Sequence, residues 1–192
     1  MILGITGPSG SGKTTLLTLL RDYGGAVLDC DEIYHELLQT DAALLARLAA
    51  AFPAAFEGGV LQRRRLGKLV FADPAALARL NEITHAAVKA EVERRLLGRQ
   101  SAAIDAIALF ESGLAPLCDT TVAVVAPEEA RLARLMARDS IPESYARSRM
   151  AAQHEEGWFR ARCDHVLENR GDYAQFREEC LAFLKKLGII AE

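Results

Sequence analysis

The sequence predicts a three-layer α/β fold, a five-stranded parallel sheet between helices, with a helical substrate-binding insertion and a helical lid. Three observations carry this. Short apolar runs bounded by turn residues alternate with longer amphipathic runs at both ends of the chain. A glycine-rich turn joins the first apolar run to the first helix. Between the second and third strand candidates stand about 60 mostly helical residues, too many for a simple crossover. They are expected to form an insertion over the carboxyl edge of the sheet, where ligands bind in such folds.

Residues 2–6 (Ile-Leu-Gly-Ile-Thr) form a buried strand, and a helix follows over 13–23, with leucines at 16, 17, 19 and 20 at helical spacing. A second strand covers 26–30, ended by Gly24-Gly25 on one side and acidic residues on the other. Alanine, leucine and charge then dominate, with helical patterns near 32–38, 41–51, 63–71, 74–82 and 84–97. Pro53, Gly58-Gly59 and Pro74 separate several of these. Strands return at 103–109 and 121–126. A helix opens near Pro127-Glu128-Glu129, where proline and acids suit a first turn. Another helix is expected over 142–157, a strand over 165–168 and a last helix over 173–187. Residues 1–192 read as a single domain, with the insertion at about 32–98 and the lid at about 131–150.

Composition narrows the function. The chain has 192 residues, 51% of them hydrophobic, enough for one substantial core. A formal charge of −3 argues against nucleic acid or an anionic membrane as partner. The four cysteines make no C-x-x-C pair and no Cys/His cluster, so mostly buried free thiols are expected. The longest uncharged apolar stretch, 48–56, is broken by Pro53 and is far below membrane-spanning length. A cytoplasmic protein acting on small molecules is the expectation; nothing in the sequence bears on its oligomeric state.

Gly7-Pro8-Ser9-Gly10-Ser11-Gly12-Lys13-Thr14 is a P-loop, G-x-x-x-x-G-K-[ST], between a strand and a helix as the motif requires. Glycines let the backbone turn its N–H groups onto phosphate oxygens, and the helix that follows offers its own open N–H groups and dipole. Gly10, Ser11, Gly12, Lys13, Thr14 and Thr15 are the expected contacts for ATP. Lys13 would bridge the β and γ phosphates, and the Thr14 hydroxyl would bind Mg²⁺. These parts predict a P-loop NTPase fold and a phosphotransferase.

Acids cluster at strand ends. If 26–30 is a strand, Asp29 and Asp31 face the same way. One could take the proton of an attacking hydroxyl or hold a metal-bound water, and one could instead cap the next helix. Asp105, read as mid-strand, is either a second-shell magnesium contact or a buried acceptor of backbone bonds. Glu111 ends that strand, with a substrate or metal role. Arg131, Arg134 and Arg138 share a helical face, with Arg147 and Arg149 on the next helix, like the lid of small-molecule kinases. Arg138 is expected on the transferring phosphoryl group, while Arg131 is assigned to a solvated face. Arg63-Arg64-Arg65 and Lys68 suit a substrate carrying phosphates of its own. His85 could touch the substrate; His35, His154 and His165 read as structural.

From Gly4 to about Gly171 the chain resembles the dephospho-CoA kinases. The resemblance rests on the P-loop and then on Asp29-Cys30-Asp31-Glu32-Ile33. It continues through Arg63, Leu66, Val70-Phe71, Leu80-Asn81-Glu82-Ile83-Thr84-His85, Asp105-Ala106 and Leu109-Phe110-Glu111. Arg134, Arg138, Arg149 and Gln153 match the family's lid and following helix, and Asp164 and Asn169 its last strand. Departures fall at Gln62, Ala86, Ile107 and Phe159. The resemblance implies ATP-dependent phosphorylation of the ribose 3′-hydroxyl of dephospho-CoA. Asp31 would then be the base, Lys13 and Arg138 the phosphate stabilisers, and the insertion the acceptor site. Asp29, Arg63, His85 and Glu111 would serve the acceptor, and Asn169-Arg170-Gly171 would lie by adenine. The competing readings are a nucleoside or nucleotide kinase of the same fold and a GTP switch. Asn169-Arg170-Gly171-Asp172 resembles the guanine-reading Asn-Lys-x-Asp of such switches, but no Asp-x-x-Gly follows a core strand.

Overall fold

The computed structural model describes residues 1–190. In chain order, β1 (Ile2–Thr6), α1 (Lys13–Asp22), β2 (Val27–Asp29), α2 (Cys30–Thr40) and α3 (Ala42–Ala51) come first. A small hairpin, β3 (Phe56–Glu57) and β4 (Val60–Leu61), leads to α4 (Arg63–Ala72) and α5 (Pro74–Leu96). The chain continues with β5 (Ala102–Asp105), β6 (Thr120–Val125), α6 (Glu128–Asp139) and α7 (Glu143–Ala151). It ends with α8 (Glu156–Arg160), β7 (His165–Glu168) and α9 (Tyr173–Lys186).

The main sheet is a parallel one of five strands in the order β2-β5-β1-β6-β7, so the strand that feeds the P-loop is central. Register pairs Leu3 with Ala103 and Ile5 with Val122. Because side chains alternate along a strand, these residues and Val124 share one face. They pack against Leu16, Leu17, Leu19 and Leu20 of α1 and Phe176, Cys180, Phe183 and Leu184 of α9. The opposite face carries Ala123 and Val125 under Phe159 of α8. Those are the three layers expected.

The chain divides into two compact units. The first comprises Met1–Leu28, Gly98–Leu109 and the chain from Leu114 onward; the second comprises Asp29–Leu97 with Phe110–Gly113. Within the second, Ile33, Leu37, Leu44, Leu48, Leu66, Val70, Val88 and Val92 are buried. Asp41 caps α3 through Leu44 N–H, and Asp73 caps α5 through Ala75 N–H with Pro74 in its first turn.

Several boundaries differ from expectation, each for a physical reason. The patterns at 74–82 and 84–97 are one helix, because Thr84 satisfies its hydroxyl on the Leu80 carbonyl (2.9 Å) and lies buried beside Ile83. Gly58 and Gly59, read as a break, make a hairpin turn with φ of 56° and 81°. β5 stops at Asp105, four residues early, so Asp105 stands at a strand end and Glu111 lies in the turns beyond. Asp29 is the N-cap of α2, and Asp31 sits in the first turn of that helix, so the two share no strand face. The helix expected over 142–157 is two, α7 and α8, with Gln153 in the break.

Among the described residues no helix is long and apolar enough to cross a membrane. No disulfide joins the four cysteines, of which Cys30 and Cys180 are buried and Cys118 and Cys163 half-buried.

Candidate active site

β1 delivers the chain to the P-loop, and the loop ends at Gly12, the N-cap of α1, with φ of 106°. No side chain caps that end, so the first N–H groups of α1 face outward with the dipole behind them. Glycine is required here twice over. A Cβ at Gly7 (φ 132°) would lie 2.1 Å from the Val124 carbonyl oxygen, and one at Gly12 would lie 2.3 Å from Asn169 Nδ2. Lys13 donates from Nζ to the Gly7 carbonyl at 2.7 Å, folded along its own loop. Thr14 is exposed on the first turn of α1, and Thr15 closes that turn on the Gly12 carbonyl at 3.0 Å. Asp105, opposite Ile5 in the sheet, is half-buried at the carboxyl edge that the loop also occupies.

The outer side of the loop is held by side chains distant in sequence. Arg131 donates from Nε to the Ser9 carbonyl at 3.0 Å. Arg134 donates to the carbonyls of Gly10 (3.1 Å) and Ser11 (3.4 Å), and to Asn169 Oδ1 (3.3 Å). Asn169 in turn donates from Nδ2 to the Ser11 carbonyl at 2.9 Å. Peptide planes are rigid, so carbonyls drawn outward turn the following N–H groups inward. Arg131 is thereby corrected: it is only 7% exposed and belongs to the loop, not to a solvated face. Burial pulls its pKa down from the usual arginine range, against Glu128 and Glu156, which raise it.

α6 and α7 pack through Leu132, Leu135, Ala146 and Met150. Arg138 is exposed at the end of α6 and forms a two-bond pair with Asp139 (2.7 and 3.0 Å). Asp139 also accepts from Arg149, and the hydrogen bonds from Arg138 and Arg149 hold its carboxyl down at about 2.

The second unit gathers the other sequence candidates. Asp29 Oδ1 accepts from the N–H groups of Asp31 (2.9 Å) and Glu32 (3.1 Å), so the capping carboxylate is that of Asp29, and Asp31 is exposed. Arg63 is exposed at the start of α4, and its charge acts on Tyr34, whose hydroxyl burial pushes up and Arg63 pulls back down. His85 is half-buried on α5; burial lowers its pKa, opposed by the Glu111 carboxylate and backbone. The structure therefore brings His85 and Glu111 together.

A model of the dephospho-CoA kinase family (CoaE) matches residues 1–175. The chain belongs to the dephospho-CoA kinase family. It is 38% identical to the dephospho-CoA kinase of Syntrophotalea carbinolica, over 97% of this chain and 92% of that one. A solved structure from Thermus thermophilus superposes with a TM-score of 0.84 at 35% identity, covering 97% of both chains. The dephospho-CoA kinase of Campylobacter jejuni does so at 0.70 and 25% identity, covering 97% of this chain and 96% of that one. Within this dephospho-CoA kinase framework, sequence reasoning passed over the roles of Arg131 and Gln153. Both are bound to Ser9, and the partners lie 122 and 144 residues apart. No local pattern signals pairs so remote; the one available sign was the recurrence of Gln153 in the family match.

Proposed function

We propose that the chain transfers the γ-phosphoryl group of ATP to the ribose 3′-hydroxyl of dephospho-CoA, releasing CoA and ADP, the last step of coenzyme A biosynthesis. The observation that carries this reading is the family match over residues 1–175, which spans both the P-loop and the helical insertion. In this reading the first unit serves the donor. Gly10, Ser11, Gly12, Lys13, Thr14 and Thr15 line the phosphates, and Lys13 and Arg138 offset charge on the group in transfer. Asn169 serves the nucleotide through the Ser11 carbonyl that it holds.

Magnesium fits this chain in a particular way. Among the described residues no group of three or more His, Cys, Asp or Glu could hold a metal ion. The exposed Thr14 hydroxyl is the protein's contact for Mg²⁺, and water and nucleotide oxygens would complete its shell. The ion supplies positive charge against the phosphate oxygens.

The second unit serves the acceptor. Asp31, whose carboxylate is not the α2 cap, is the base for the attacking hydroxyl, and Asp29 holds the turn that presents it. Arg63 takes the acceptor's diphosphate, where a guanidinium makes two parallel bonds. His85 and Glu111 bind the acceptor as a pair. Cytoplasmic location and independence of nucleic acid and membranes belong to the same reading.

ADP release measured with ATP and a panel of acceptors tests it. Dephospho-CoA should stimulate release far more than adenosine, AMP, uridine or cytidine. Strong turnover with a nucleoside and none with dephospho-CoA would favour a nucleoside kinase instead.

A further inference from the structure

We propose that Gln153 is a positioning residue for the phosphate loop, acting on the nucleotide's phosphates through Ser9. This rests on the kinase reading above, and its binding arm does not depend on the identity of the acceptor.

Ser9 is 7% exposed, and each of its polar groups is engaged by a side chain from beyond the sheet. Its N–H donates to Gln153 Oε1 at 2.9 Å, its hydroxyl oxygen accepts from Gln153 Nε2 at 2.7 Å, and its carbonyl accepts from Arg131 at 3.0 Å. The orientation of the amide follows from chemistry: a backbone N–H can only donate, so the carbonyl end of Gln153 must face it. The NH₂ end then meets the hydroxyl, whose oxygen is the acceptor and whose one hydrogen remains to be given.

Two consequences follow for a loop that receives an anion. Arg131 fixes the Ser9–Gly10 peptide plane and with it the direction of the Gly10 N–H, and Gln153 fixes the Pro8–Ser9 plane that precedes it. The Ser9 hydroxyl is also turned so that its hydrogen can be donated away from Gln153, which adds a donor for phosphate. Gln153 lies in the break between α7 and α8, and its own N–H bonds the Met150 carbonyl at 3.1 Å. The side chain is thus carried by α7, whose Ala146 and Met150 are packed against α6.

The test pairs calorimetric titration of a non-hydrolysable ATP analogue with steady-state kinetics. Gln153→Ala removes two hydrogen bonds and should weaken analogue binding by about tenfold. KM for ATP should rise while KM for dephospho-CoA stays within twofold. Gln153→Glu keeps the acceptor for the Ser9 N–H but captures the hydroxyl's hydrogen, and should bind less tightly than wild type. In a Ser9→Ala background, Gln153→Ala should cost less than in wild type, because part of its partner is already gone. Unchanged analogue affinity in Gln153→Ala, or fully additive losses, would overturn the proposal. So would a lowered melting temperature with KM raised equally for both substrates, since that marks a merely structural residue. If wild type binds the analogue but never phosphorylates dephospho-CoA, the acceptor assignment fails and the calorimetric comparison still decides Gln153.

Discussion

Asp31 and His85 stand in the same unit, the one exposed and the other half-buried. The Asp31 carboxylate is exposed and is not the group that caps α2, which suits the proton acceptor proposed for it. Asp31→Asn keeps the shape and loses the basicity. Nucleotide binding should survive while phosphoryl transfer falls by roughly a hundredfold; unchanged transfer with weakened ATP binding would make Asp31 a ligand. His85 is held neutral by burial, its pKa below the ordinary 6.5. Below about pH 6.5 the unfolded chain therefore binds this proton more readily than the folded one, and stability falls as pH falls. Melting midpoints of wild type should drop further between pH 7.5 and 5.5 than those of His85→Gln. Equal drops would show that His85 is not the source. At this level the P-loop was legible because residue identity is itself the chemistry. Arg131 was not, since a helical arginine gives no sign that its partner is a carbonyl 122 residues away.

Helices α6 and α7 show what holds two neighbouring helices as one body. Leu135 and Ala146 are fully buried at their contact, with Leu132 and Met150 beside them. Leu135→Ala should cost about 2–5 kcal/mol, read from the urea midpoint, as large-to-small core changes do. A cost near zero would mean that the two helices do not depend on this seam. Start signals in the sequence were dependable here: Pro74 and Pro127-Glu128-Glu129 mark helix beginnings within a residue. End signals were weaker. The patterns 74–82 and 84–97 were read apart though Thr84 bonds back within one helix, and the Gly58-Gly59 turn was taken for a simple break. β5 ran too long because the apolar residues 106–109 continue its pattern after the chain has left the sheet.

For the molecule as a whole, the second unit joins two separate stretches of chain, the longer of them Asp29–Leu97. Its other segment, 110–113, was hidden because membership there depends on packing between remote parts of the chain. The thiols report on integrity. Burial pushes Cys118 and Cys180 up to about 12 and Cys163 to about 11, so little thiolate exists near neutral pH. A thiol reagent at pH 8 should label these three slowly in the folded protein and fast in urea. Labelling of any one of them at the rate of a free thiol without urea would contradict the packing described.

The phosphate loop is the feature with the longest reach. Its carbonyls at Ser9, Gly10 and Ser11 are satisfied by Arg131, Arg134 and Asn169, groups of the protein itself. The conformational entropy of ordering those residues, about 1–2 kcal/mol each for the backbone, is therefore lost during folding and not during binding. ATP meets a finished cradle, and its association should be driven by enthalpy with little entropic penalty from the protein.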